Sequence, residues 1–317
     1  MAYPRNYIRF PENCYEPKKV EVGRDTYTIY GYKFRGLNDF YDFLKQNPKV
    51  NYQVWNRGAL SSETGSHDFA GDSYEKAVEK LMHDMDPGYQ EYLNVQKNMR
   101  AQAAKTHEYK GIKTIAGGVI DPVAYTTGSP TIYRASRLVT KPKFITIDTQ
   151  VAYYWGTSKS QVFNRALIIT NLIRALEKQG YSGDVNSFMG AENYDEVIEA
   201  IFEIKQHGGR TNYQTLYKSL VDVEFFRRLC FRLMEASDVR EDWPDGYGRT
   251  ASESFVRRLL HLKKEDIYFD QPSEMGIRGK DVGEDFINAM KHLNLENKID
   301  IEKEARILKQ SVKVLKR

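Results

Sequence analysis

Cysteine is nearly absent from this chain of 317 residues: there are two, Cys14 and Cys230, far apart in sequence. Two such cysteines build no disulfide framework and no zinc spacing. Cys230 falls inside the apolar helical pattern "EFFRRLCFRLME", where a buried, reduced thiol is the expectation, and a reducing compartment fits. Long hydrophobic runs are missing too. No stretch approaches the roughly 18 apolar residues that span a bilayer. The opening "MAYPRNYIRFPENCYEP" has no apolar core and no small-residue cleavage site, so a soluble, unexported protein is expected.

Charge of one sign is also scarce. The 47 basic and 43 acidic residues leave a formal net charge of +4, which permits nucleic-acid contact without arguing for it. What is present is ordinary for a globular protein, with 41% hydrophobic and 28% charged residues. Aromatic residues are plentiful, at 22 Tyr, 15 Phe and 3 Trp. Tyrosine buries its ring while keeping its hydroxyl wet, which suits contact surfaces as well as cores.

Periodicity predicts a hairpin of about 19–22 and 26–34, then a helix from Asn38 with Phe40, Phe43 and Leu44 on one face. Asp72 and Glu75 read as a capping box for the next helix, and Pro87 as the first residue of another. "KPKFITIDT" is the strongest strand signal, followed by a helix over about 160–179 and a strand at 184–189. This run predicts a right-handed βαβ unit. "NYDEVIEAIFEIKQHGG" reads as a helix ending at a glycine pair, and 213–235 as one long helix. Further helices are expected near 254–264, at 283–293 and at 299–316. The organisation predicted is an α/β fold with a mixed sheet: an N-terminal α+β portion (1–110), a three-layer α/β core (111–272), and a C-terminal helical hairpin with a basic tail (273–317).

Few motifs carry chemistry. "IAGGVIDPVAYTTGSP" at 115–130 lacks the Lys-Ser/Thr of a phosphate-binding loop, and its glycines are adjacent rather than spaced for a dinucleotide. It reads as a corner between extended segments, or as a docking loop presenting Asp121, Tyr125, Gly128 and Ser129 to a partner. The six histidines show no metal spacing, no Gly-x-Ser-x-Gly elbow occurs, and no cofactor or metal is expected. The 144–176 unit resembles von Willebrand A-type domains, in which an Asp-x-Ser-x-Ser loop holds a divalent metal. Here Ser158 and Ser160 lie ten and twelve residues beyond Asp148 instead of two and four, so the oxygen cluster is broken and only the topology is retained.

Arg227, Arg228 and Arg232 lie on the polar side of the 213–235 pattern. Interleaved acids favour structural salt bridges there over a phosphate-binding face. The last thirteen residues hold five basic side chains and no acidic one, among them Lys309, Lys313, Lys316 and Arg317. That tail either contacts nucleic acid or docks as an ordinary amphipathic helix on the body or a second subunit.

Three stretches together resemble a family of uncharacterised bacteriophage and prophage proteins, a domain of unknown function. They are "DFAGDSYEKAVEKLMHD", "GGVIDPVAYTTGSP" and "FNRALIITNLIRALEKQGY…FFRRLCFRLME…GYGR". The family's Ser-Tyr/Phe-Glu-Glu-Ala, Val-Asp-Val…Tyr…Gly-x-Pro and Arg-Arg-x-x-Phe patterns fall on 73–77, 119–130 and 227–231. The tryptophan that often follows the first helix is missing after Met85. The resemblance implies a viral protein in the cytoplasm of the infected host, or in the virion. The leading expectation is a non-enzymatic binding protein: an assembly factor, a virion component or an inhibitor of a host system. Its partner would be a phage or host protein, with self-association open and no membrane contact. Nucleic-acid binding is one alternative. An enzyme assembled from His67, Asp121 and Asp148 is the other.

Overall fold

The computed structural model describes residues 18–22, 25–46, 71–83, 87–105, 113–114, 119–120, 125–129, 133–134, 143–154, 156–193, 195–206, 209, 211–237 and 250–313. The strands are β1 (Lys18–Val22), β2 (Asp25–Phe34), β3 (Lys113–Thr114), β4 (Val119–Ile120), β5 (Tyr133–Arg134), β6 (Lys143–Gln150), β7 (Tyr181–Asn193), β8 (Glu196–Lys205) and β9 (Ile267–Phe269). The helices are α1 (Leu37–Lys45), α2 (Tyr74–Met82), α3 (Pro87–Lys105), α4 (Lys159–Lys178) and α5 (Tyr213–Leu220). They continue with a π-helical segment, Phe225–Cys230, that runs into α6 (Phe231–Glu235), then α7 (Glu253–Leu259), α8 (Val282–His292) and α9 (Ile301–Lys313).

Six strands form one mixed sheet in the order β1-β2-β8-β7-β6-β9. β1 and β2 make the expected antiparallel hairpin, and β2 lies parallel to β8. β6 and β7 are parallel, joined by α4, as the βαβ pattern predicts. β9 adds on the far side of β6, also parallel. The protein is thus a mixed α/β fold with apolar layers on both faces of the sheet. The larger layer takes Tyr32, Phe34, Ile145, Ile147 and Phe202 against the helices of one side. The smaller takes Ile29, Phe188, Val197 and Tyr268 against Phe255, Val256 and Leu259 of α7. A separate small sheet has the order β3-β5-β4, so β3 and β4 both pair antiparallel with the central strand β5.

Two expectations are corrected. Residues 196–205 are strand β8, not a helix, and pair with both β2 and β7. The apolar residues of "EVIEAIFEIK" fall at 197, 198, 200, 201, 202 and 204, and the large ones at 197, 198, 201 and 202 copy a helical stripe. A central strand covered on both faces shows just such a continuous run instead of alternation. The long helix at 213–235 is also interrupted. α5 ends at Leu220, and Asp222 accepts a hydrogen bond from Glu224 N at 3.0 Å, restarting the chain as the π segment.

Caps move by a residue or two. α1 begins after Gly36, not Asn38, and α2 is capped by Ser73, not Asp72. The Asp72 carboxylate instead takes Lys80 Nζ at 2.6 Å. α4 carries a full capping box, Ser158 with Gln161.

A candidate functional site at the carboxyl ends of the parallel strands

The chain leaves β6 through α4 toward β7 on one side, while β9 arrives on the other. The strand order therefore reverses between β6 and β9. In open α/β sheets the crevice outside the carboxyl ends at such a reversal is where ligands bind.

Arg165 occupies that point. It projects from α4 and is 1% exposed. Its Nη1 donates to the carbonyl of Gln150, the last residue of β6, at 2.6 Å. It also reaches the carbonyl of Asp270, just past β9, at 3.4 Å. Arg165 Nε is buried and has no acceptor. Burial pushes the guanidinium down to about 10, opposed by the neighbouring Tyr153 and Asp270.

The loop after β6 closes over this point. Tyr153 is buried, with Arg227 at 5.1 Å and Arg165 at 6.0 Å from its ring centre. Burial lifts its phenol to about 12 against the pull of both arginines. Tyr154 is half exposed to solvent. Its carbonyl accepts from Arg227 Nη2 at 3.2 Å and its N–H donates to Gln271 Oε1 at 3.0 Å. Thr149 and Ser187 face each other across β6 and β7, and both hydroxyls are buried without a partner. Burial also raises Asp270, although its carboxylate accepts the Gln271 N–H.

Asp148 lies one pleat away. It is buried on β6, and its Oδ1 accepts from Asn186 Nδ2 at 2.9 Å. Burial raises its carboxyl to about 6, with the hydrogen bond from Asn186 working the other way. Ser158 and Ser160 bond each other at 3.0 Å at the start of α4. Among the described residues no three His, Cys, Asp or Glu gather as metal ligands, and no helix is long and apolar enough to cross a membrane.

The other sequence candidates scatter. Tyr125 opens a single helical turn and is 65% exposed. The turn is closed by Gly128 N donating to Tyr125 O at 3.2 Å, with Gly128 at φ +66°. Ser129 sits half-buried beside it. Asp121 and His67 lie outside the described residues, as do Lys316 and Arg317.

Arg227, Arg228 and Arg232 are all buried, on a segment covered on every side. Arg228 Nε donates to the Asp72 carbonyl at 3.0 Å, and Arg232 lies 3.6 Å from Glu235 and over the Tyr74 ring. They therefore form no exposed basic face. The sequence placed them on a polar side because it expected one ordinary helix there. Lys309 bonds Asp281 at 2.5 Å, and Lys313 is exposed on the last turn of α9. The apolar stripe of α9 packs within the chain, through Ile301, Ala305, Ile307 and Leu308. Cys230 is fully buried, and burial holds its thiol well above the usual value.

Arg165 was not foreseen. The available signal was its spacing: it stands three residues after Val162 and four before Ile169, a charge placed on the buried stripe of α4.

A family profile described as Domain of unknown function (DUF7192) matches residues 15–297. The chain belongs to that family. No curated protein and no solved structure matches it. The family match spans β1–α8 and so includes the hairpin, the switch point and the buried arginines.

Proposed function

We propose that this member of the family is a phage-encoded binding protein that works through protein contacts inside the infected host, as an assembly factor, a virion component or an inhibitor of a host system. The viral origin rests on the sequence resemblance alone. The contact reading is carried by one observation: Tyr125, Phe144 and Tyr154 are large apolar side chains left in solvent, at 65%, 63% and 52% exposure. Tyr125 in particular stands on a turn closed by the Gly128 N–H, and its ring is the most exposed of the three. Aromatic side chains of this kind anchor protein interfaces.

The test is capture of partners from phage-infected cells after nuclease treatment, with wild type and Tyr125→Ala compared side by side. A stoichiometric protein partner that survives nuclease and weakens with Tyr125→Ala supports the reading. If only nucleic acid co-purifies, the exposed end of α9 at Lys313 becomes the surface to mutate, and affinity should then fall steeply with salt.

A further inference from the structure

We infer that Arg227 is the positioning residue for the exposed Tyr154 ring, acting from the π segment across to the loop after β6. This deepens the contact reading of Tyr154 and rests on it for its use, while the positioning itself is read without a partner.

Tyr154 combines exposure with a fixed backbone. The residue is 52% exposed. Its N–H donates to Gln271 Oε1 at 3.0 Å, and its carbonyl accepts from Arg227 Nη2 at 3.2 Å and from Thr157 N at 3.0 Å. The ring lies close over Gly156, where a Cβ would stand 3.1 Å from the ring's Cε1. Ordering a loop is one of the costs of binding, and here the backbone is fixed before any contact is made.

Arg227 is itself held. It is 4% exposed, and its guanidinium lies 5.1 Å from the Tyr153 ring centre and 5.7 Å from that of Phe226. The Tyr153 and Phe226 rings meet at 5.2 Å. A planar guanidinium can stack on a ring and donate in its own plane, which a lysine cannot do. Burying that charge is costly. The Tyr154 carbonyl already has the Thr157 N–H, so satisfying one acceptor does not account for the arginine. Fixing the loop does.

The π segment places this contact. Glu224, just before it, accepts from Asp72 N at 2.5 Å and from Lys80 Nζ at 3.1 Å, and Arg228 Nε donates to the Asp72 carbonyl at 3.0 Å. Residues 224 and 228 thus hold the start of α2, while 226 and 227 hold the loop at 153–154. The segment is a clasp between the two. Turns of this wide kind are rare and recur at functional sites.

The experiment labels the full chain with meta-fluorotyrosine and assigns the Tyr154 fluorine resonance by its loss in Tyr154→Phe. Hydrogen exchange at the Tyr154 and Thr157 amides is followed beside it. In Arg227→Met the Tyr154 resonance should move to the position of the free amino acid, and exchange at both amides should quicken roughly tenfold. The resonances of the buried Tyr92 and Tyr217 should stay in place, which a general loss of structure would not allow. Because Arg227 is buried, Arg227→Lys, which keeps the charge but not the fork, is read with it and should show the same change in smaller measure. Lys80→Met, at the α2 side of the clasp, should lower the melting temperature and leave the Tyr154 signal unchanged. Partner capture by Arg227→Met should fall to the level of Tyr154→Ala. An unmoved Tyr154 resonance in both Arg227 variants, or a Lys80→Met variant that frees the ring as fully, overturns the inference. A freed ring in a variant that still captures the partner in full refutes Tyr154 as a contact and leaves the positioning standing.

Discussion

Replacing Phe202 by alanine removes the ring at the centre of the packing between sheet and helices. Phe202 is fully buried on β8. Its ring centre lies 5.3 Å from Phe34 of β2, 4.8 Å from Phe40 of α1 and 5.1 Å from Phe225 of the π segment. Those neighbours belong to three separate elements, each held by further contacts, so the gap cannot close by moving one of them. A buried Phe→Ala change costs about 3–5 kcal/mol, the upper part of that range applying where the site does not collapse. That total already contains the lost edge-to-face contacts, which are worth about 0.5–1.5 kcal/mol per pair. We expect a loss of about 4 kcal/mol. Urea unfolding followed by far-ultraviolet circular dichroism should show the midpoint falling by more than about 1 M with little change in slope. A loss below about 1 kcal/mol would refute the reasoning. It would mean that 196–205 does not sit as the central strand, since an exposed helical position would tolerate the change.

Three more outcomes follow from particular residues. Asp148 is raised from 3.8 to about 6 by burial, so the folded chain holds this proton more tightly than the unfolded one. Its contribution to stability is present below pH 4, declines as pH rises from about 4 to 6, and at pH 7 amounts to a penalty of up to about 3 kcal/mol. Asp148→Asn keeps an acceptor for Asn186 and should therefore stabilise the protein at pH 7 but not at pH 4, measured by paired melts; equal effects at both would contradict the burial argument. Gly183→Ala should unfold or strongly destabilise the chain, because a Cβ there collides with the Ile145 carbonyl oxygen of the neighbouring strand; a near-wild-type melt would rule out the β6–β7 register. In a Cys14→Ser background, Cys230 should react with a thiol reagent only on the timescale of unfolding, given its burial and raised thiol; prompt labelling of the native protein would show the π segment to be open.

The parts of the fold that announced themselves were those with local signals. The hairpin alternates around its turn, and α4 has apolar periodicity, a serine cap and a terminal glycine, so the β6–α4–β7 unit followed. β8 did not announce itself, because Val197, Ile198, Ile201 and Phe202 are apolar on both faces and a doubly covered strand loses its period of two. β9 was missed for its length, three residues within an otherwise polar stretch. With β9 unseen, the switch point was invisible, and so was the reason for a charge at Arg165. The arginines at 227–232 were read as facing outward because the sequence does not show that a second layer closes over them. Their partners were half legible. Glu235 was weighed as a counter-charge and lies 3.6 Å from Arg232, whereas Arg228 bonds a backbone carbonyl, that of Asp72, which only the fold brings to it.

The claim that matters most is that this chain acts through a protein partner met by its exposed aromatic side chains. The direct measurement is nuclease-treated affinity capture from infected cells with mass spectrometry, comparing wild type with the Tyr125→Ala and Tyr154→Ala variants at equal expression. The account predicts one stoichiometric protein partner with wild type and a loss of at least tenfold with Tyr125→Ala. Recovery of that partner at the same level with both variants, or no protein partner at all, would contradict it.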